Sequence, residues 1–190
     1  YGEAVAWAQQ KGIVTGFEDG TFRPMEEISR QDMALMLQRY AKTVKGTDTT
    51  PTGDLSRWPD AGLVGSWAVD ALRWCVGAGI INGKDGGLQP TGNATRAEFA
   101  TIAALFFHAP EVEDDAFTDI SDSWARDYIK RAAKLGLVSG YEDGTFRPQN
   151  QITRAEVMEI INNVLFRTPD KDHLLPDMIV WPDNSNKTAW

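Results

Sequence analysis

The stretch GFEDGTFRP, Gly16 to Pro24, returns as GYEDGTFRP, Gly140 to Pro148. A near-identical nonamer written twice constrains the fold more than any other feature, because internal repeats mean one structural unit used several times. Extended outward, repeat one reads GIVTGFEDGTFRPMEEISRQDM (Gly12 to Met33) and repeat three GLVSGYEDGTFRPQNQITRAEV (Gly136 to Val157). Between them, GIINGKDGGLQPTGNATRAEF (Gly79 to Phe99) keeps the pattern with one residue missing. Arg30, Arg96 and Arg154 each stand six residues after a proline (Pro24, Pro90 and Pro148). The chain is therefore read as three copies of one unit.

Each copy has a physical reading. Upstream of its first glycine runs an amphipathic helix, SWAVDALRWCVGAG in repeat two and SWARDYIKRAAKLG in repeat three. The glycine suits a left-handed helix C-cap, with the next apolar pair folding back on the last turn. Asp-Gly at 19–20, 85–86 and 143–144 marks a tight turn, and Phe22, Leu88 and Phe146 supply an apolar plug. A second helix then begins: Thr95 to Glu98 and Thr153 to Glu156 fit a capping box, and Ser29 to Asp32 is a weaker version. The arginine at the first helical position does not fit, because a cation beside a helix N-terminus is disfavoured by about 0.3–1 kcal/mol. Two explanations stand open. One is a salt bridge to a carboxylate of a neighbouring repeat; the other is an anion site where arginine and free helix amides converge.

These residues resemble S-layer homology (SLH) repeats, the cell-wall anchoring modules of bacterial surface proteins. The TRAE signature stands intact at 95–98 and 153–156 and as SRQD at 29–32, and FTDISDSW (Phe117 to Trp124) matches the family's opening. The resemblance covers nearly the whole chain. It implies an all-α, mainly helical fold: three repeats in a pseudo-threefold arrangement of helix pairs joined by long ordered loops, a monomeric pseudo-trimer with grooves between copies. It further implies an extracellular anchoring module, not an enzyme and without cofactor or metal. Its ligand would be an anionic secondary cell-wall polymer, often bound through a pyruvate ketal on an amino sugar. Carried onto this sequence, the ligand-binding residues would be Arg30, Arg96, Arg154, Asp19, Asp143, Gly16, Gly83, Gly140, Trp67, Trp124 and Trp190. The repeats would span 1–42, 58–107 and 117–166, with 174–190 as a further opening segment. Repeat two lacks an aromatic counterpart to Phe17 and Tyr141, and carries Gln89 where the others have Arg23 and Arg147, so its groove is expected to be the weakest.

Composition limits the alternatives. With 19 basic against 27 acidic residues the net charge is −8, which argues against nonspecific nucleic-acid binding and against a polybasic membrane patch. No apolar run approaches the roughly 20 residues of a membrane-spanning helix, and no signal peptide is recognisable. Cys75 stands alone and reads as a small buried filler; His108 and His173 lie in loop-like segments without clustered ligands. Of the seven tryptophans, Trp7 and Trp74 occupy matching places on the first helix and read as packing. Trp67, Trp124 and Trp190 recur where that helix opens, as groove wall or sugar platform. Segments 43–57, 108–116 and 167–177 read as polar connectors, and the acidic run Glu111 to Asp115 as a solvated stretch. A glycan-binding module leads; a protein–protein assembly module or direct peptidoglycan binder is the alternative. An enzyme comes last, because no nucleophile–base pair, metal cluster or phosphate loop can be placed.

Repeats two and three open with an aspartate before the tryptophan, Asp60 to Trp67 and Asp119 to Trp124. The tail WPDNSNKTAW repeats the seven-residue step of repeat two in Asp183 to Trp190. The expectation is that the C-terminal segment, about Leu174 to Trp190, folds back to complete repeat one and brings the termini together. The competing expectation is a fourth repeat cut short.

Overall fold

The computed structural model describes residues 2–164 and Asp183. Among these, six α-helices form: α1 (Gly2–Gln10), α2 (Arg30–Thr43), α3 (Val69–Gly77), α4 (Arg96–Phe106), α5 (Arg126–Lys134) and α6 (Arg154–Val164), with a 3-10 turn at Ala61–Leu63. Each repeat contributes a first helix (α1, α3, α5) and a second (α2, α4, α6). The fold is mainly helical, as the sequence implies. Gly12, Gly79 and Gly136 take φ near +69°, +69° and +68° and end the first helices. Ile13, Ile80 and Leu137 then donate back to Ala8, Cys75 and Ala132 at 2.8, 2.8 and 2.9 Å. That satisfies carbonyls the helix would otherwise leave open.

The close helix pairs join successive repeats: α2 with α3, α4 with α5, and α6 with α1. The last pair closes the three repeats into a ring. At its centre the segments ahead of the second helices meet in a triangle of backbone hydrogen bonds. Ala94 N donates to Ile28 O (2.9 Å), Ile152 N to Ala94 O (3.0 Å), and Ile28 N to Ile152 O (3.0 Å). Each bond runs from one repeat to another, so no repeat can satisfy its own backbone here, and burying these amides unpaired is costly. The pseudo-threefold axis is thus built by the backbone.

The plugs Phe22, Leu88 and Phe146 are fully buried and join one continuous core with Ile28, Ile152 and the inner helix faces. Trp7, Trp74 and Cys75 are buried too, and burial pushes the Cys75 thiol far above its ordinary value. In the acidic run Glu111, Glu113, Asp114 and Asp115 are all exposed, as its reading as a solvated stretch has it. Asp115 pairs with Arg126, while Lys130 donates to Glu113 O (2.6 Å) and Arg131 to Ala109 O (2.7 Å). The basic face of α5 needs acceptors, and this connector supplies them. His108 is exposed at the end of α4 with φ +51°, whereas His173 and connector 167–177 lie outside the described residues.

Candidate functional site

The site is built on the repeated loop. Asp19 and Asp143 start it by accepting from the amide and hydroxyl of Thr21 and Thr145, and each then pairs with an arginine, Arg23 or Arg147, at 2.8 Å. The Thr21 hydroxyl leads the contacts that hold the Asp19 carboxyl down at about 2, followed by Arg23; Asp143 is held at about 2 by Thr145 and Arg147 in the same way. Arg23 stacks on Phe17 (4.1 Å) and Arg147 on Tyr141 (3.9 Å). Because these folded-state values lie below the ordinary 3.8, their contribution to stability is complete above about pH 4 and is lost as pH falls toward 2. Thermal melts from pH 5 to 2 should fall over that window, and the double variant Asp19→Asn, Asp143→Asn should flatten the fall. An unchanged pH profile in the variant would refute the assignment.

Behind the turn the backbone is forced. Arg23, Gln89 and Arg147 take φ of +56°, +49° and +56°, a conformation that costs a non-glycine residue about 1–2 kcal/mol. An aspartate clasps each of these bends. Asp60 accepts from Leu88 N and Gln89 N (both 2.7 Å), and Asp119 from Phe146 N (2.7 Å) and Arg147 N (2.8 Å). At repeat one the clasp is Asp183, which accepts from Phe22 N (3.1 Å) and Arg23 N (2.6 Å). The amides of Leu88 and then Gln89 pull the Asp60 carboxyl below its ordinary value.

The three arginines at the second-helix starts do not serve their own loops; each reaches into the loop of the next repeat. Arg30 donates to Leu88 O (3.0 Å), Asn82 O (2.7 Å) and Glu98 Oε1 (3.0 Å) of repeat two. Arg96 repeats this on Phe146 O (2.9 Å), Ser139 O (2.7 Å) and Glu156 Oε1 (3.0 Å) of repeat three. Arg154 donates to Phe22 O of repeat one (3.0 Å). All three residues are buried, at 4–7% exposure, and burial pulls Arg30 and Arg154 below the ordinary arginine value. The salt-bridge explanation therefore describes Arg30 and Arg96. Glu98 and Glu156 do double duty: Oε2 accepts from the cap residue, Thr95 N or Thr153 N (both 2.8 Å), and Oε1 from the arginine.

Two grooves open beside these arginines. The repeat-one groove, about 630 Å³, is walled by Gly16, Phe17, Asp19, Asp32, Arg154 and Trp67. The repeat-two groove, about 430 Å³, has Gly83, Lys84, Glu98, Arg30, Trp124 and Tyr128. Each groove thus combines a loop, the arginine of the preceding repeat and the tryptophan of the following one. Trp67 and Trp124 are 51% and 63% exposed, so they are groove walls and not core. Gly140 and Asp143 hold matching places in repeat three, and Trp190 lies outside the described residues. Two of the glycines have a packing reason. A Cβ on Gly83 would meet Trp58 Nε1 at 2.2 Å, and one on Gly140 would meet Phe117 Cε1 at 2.3 Å.

Sequence reasoning missed Lys84, which stands where Phe17 and Tyr141 stand and pairs with Glu98 at 3.1 Å. The residue missing from repeat two falls after position 84, since Lys84 N donates to Gly87 O as Phe17 N does to Thr21 O and Tyr141 N to Thr145 O. It also missed Gln31, whose buried side chain accepts from Gly65 N (2.9 Å) and steadies the approach to Trp67.

The S-layer homology domain family matches residues 1–34, 59–100 and 116–158, more than half of the chain. Among relatives, Cell surface glycoprotein 1 of Acetivibrio thermocellus is 33% identical over 90% of this chain, which spans 8% of that protein. The Cellulosome-anchoring protein of the same organism is 35% identical over 83% of the chain, which spans 36% of it. An S-layer protein of Bacillus thuringiensis subsp. finitimus is 23% identical over 84% of the chain, or 19% of its own length. With three copies of the loop, the capped second helix and the arginine between them, the chain belongs to the S-layer homology domain family.

Proposed function

We propose that this chain is an anchoring module that holds a larger protein at the bacterial cell surface by binding an anionic cell-wall glycan in the grooves between repeats. The observation that carries this is the repeated groove, where an exposed indole of one repeat faces a buried guanidinium of another across a solvent-open cavity. Indole faces suit sugar rings and guanidinium suits a carboxylate, so a sugar bearing an acid, such as a pyruvate ketal, matches both. The relatives agree in kind, since one is named for anchoring and another for the surface layer. The test is a pull-down on purified wall sacculi before and after extraction of the secondary polymer. Retention should be lost on extraction. Retention that survives points instead to peptidoglycan, and retention that requires other surface-layer protein points to assembly.

We infer further that the segment around Asp183 completes repeat one. Its carboxylate takes the two amides that Asp60 and Asp119 take in the other repeats, and Trp58-Pro59-Asp60 recurs in the sequence as Trp181-Pro182-Asp183.

A further inference from the structure

We propose that the repeat-one groove is the strongest anion site of this module, and that Asp32 makes it so by being one methylene too short to occupy Arg154. The proposal rests on the reading of the grooves as sites for an anionic glycan. Asp32 holds the helix position filled by Glu98 in repeat two and Glu156 in repeat three. Those glutamates reach the incoming arginine at 3.0 Å and use up its terminal nitrogens together with a loop carbonyl. Asp32 accepts from the Ser29 hydroxyl instead. Among the described residues Arg154 donates only from Nε and enters no ion pair. Its guanidinium lies over the Phe17 and Phe22 rings (4.7 and 4.8 Å), and this residue, 5% exposed, borders a cavity of about 630 Å³ with no acceptor among the described residues on its terminal nitrogens. A buried guanidinium with no carboxylate in hydrogen-bonding reach is costly, and an incoming carboxylate relieves that cost with two parallel hydrogen bonds.

Formal charge does not separate the two grooves. The repeat-one wall carries Arg23, Arg39 and Arg154 against Glu18, Asp19 and Asp32, and the repeat-two wall carries Arg30 and Lys84 against Asp85 and Glu98. What separates them is which donors are already used. Arg23 is paired with Asp19, and Arg39 donates to Ile13 O (3.4 Å). In repeat two, Arg30 and Lys84 both lean on Glu98. The indole of Trp67, half exposed on the same wall, is placed to cover the sugar that carries the acid. On the glycan reading, the acid of the sugar sits on Arg154.

The experiment is calorimetric titration with a pyruvylated amino-sugar disaccharide and with its neutral methyl ester, alongside melting curves. The wild-type protein should bind the acid and not the ester. Asp32→Glu should pair with Arg154, so the tightest site should weaken about tenfold while Tm rises. Asp32→Asn, which keeps the short reach and removes a negative charge from the groove wall, should not weaken that site. Tight binding that is unaltered in Asp32→Glu, equal binding of the ester, or a lower Tm in Asp32→Glu would overturn the proposal while leaving glycan binding as such in place. No binding of the disaccharide by the wild-type protein overturns the glycan reading and this assignment with it.

Discussion

Replacing Arg30 with alanine should cost the module about 3–5 kcal/mol, the range found when one partner of a buried ion pair is removed. The loss has three parts at one point. Glu98, whose side chain is 7% exposed, loses the guanidinium at 3.0 Å, and the carbonyls of Leu88 and Asn82 lose their donors. Because those carbonyls belong to repeat two, the variant loosens a loop 50 or more residues away in sequence. Lys84 keeps one contact to Glu98 and offsets part of the charge effect. Arg96→Ala should cost less, since Glu156 is 32% exposed and water can reach it. Arg154→Ala should cost least, because the described residues give it one carbonyl and no carboxylate. For a chain of this size about 2–4 °C of Tm accompanies each kcal/mol, so Arg30→Ala should melt on the order of 10 °C early. Affinity should follow the opposite order. Arg154→Ala should weaken glycan binding about ten- to a hundredfold, as expected for a charge-assisted hydrogen bond of roughly 1.5–3 kcal/mol. Equal melting losses for all three variants would contradict this division of labour.

That division shows which features the sequence could display. Local features were legible because their chemistry lies within a few residues: the left-handed glycines at 12, 79 and 136, the capping threonines, the apolar plugs and the arginine–proline spacing. Two explanations for the arginines were also legible, since a cation at a helix start conflicts with the helix dipole. What could not be read was the destination of each side chain. Arg30 crosses into the repeat that follows because the helix pairs form between repeats, and nothing in one repeat's own letters says so. The same swap assigns each tryptophan to the groove of the repeat before it, Trp67 to repeat one and Trp124 to repeat two. The difference between Asp32 and Glu98 looked like a weaker cap in sequence. It acquires its other meaning only when an arginine from another repeat arrives opposite it.

Asp183→Ala should destabilise the module as much as Asp119→Ala does, although the two residues lie in different segments of the chain. Both carboxylates accept two backbone amides at a bend whose second residue has a positive φ, Arg23 or Arg147 at +56°. Without the carboxylate those two amides lose their acceptor, and the left-handed residue loses what holds it. Hydrogen bonds to a charged acceptor are worth roughly 1.5–3 kcal/mol, so each variant should lose at least that much. Amide exchange locates the effect: of the clasped bends, Asp183→Ala should speed exchange only in that of Phe22 and Arg23, and Asp119→Ala only in that of Phe146 and Arg147. Asp183→Asn keeps one acceptor oxygen and should give a partial version, which preserves the test if the alanine variant fails to fold. Deleting residues 181–190 should lower Tm further than Asp183→Ala does. Both the exchange rates and Tm should be independent of protein concentration, because the clasp closes within one chain. A concentration-dependent Tm would mean that the aspartate comes from a second copy. Unchanged exchange at Phe22 and Arg23 in Asp183→Ala, with Asp119→Ala behaving as described, would mean that repeat one holds its loop without a clasp. Because Arg23 carries Asp19 and stacks on Phe17, loss of the clasp should also loosen the wall of the repeat-one groove. Asp183→Ala should then weaken binding at that groove while Asp60→Ala spares it.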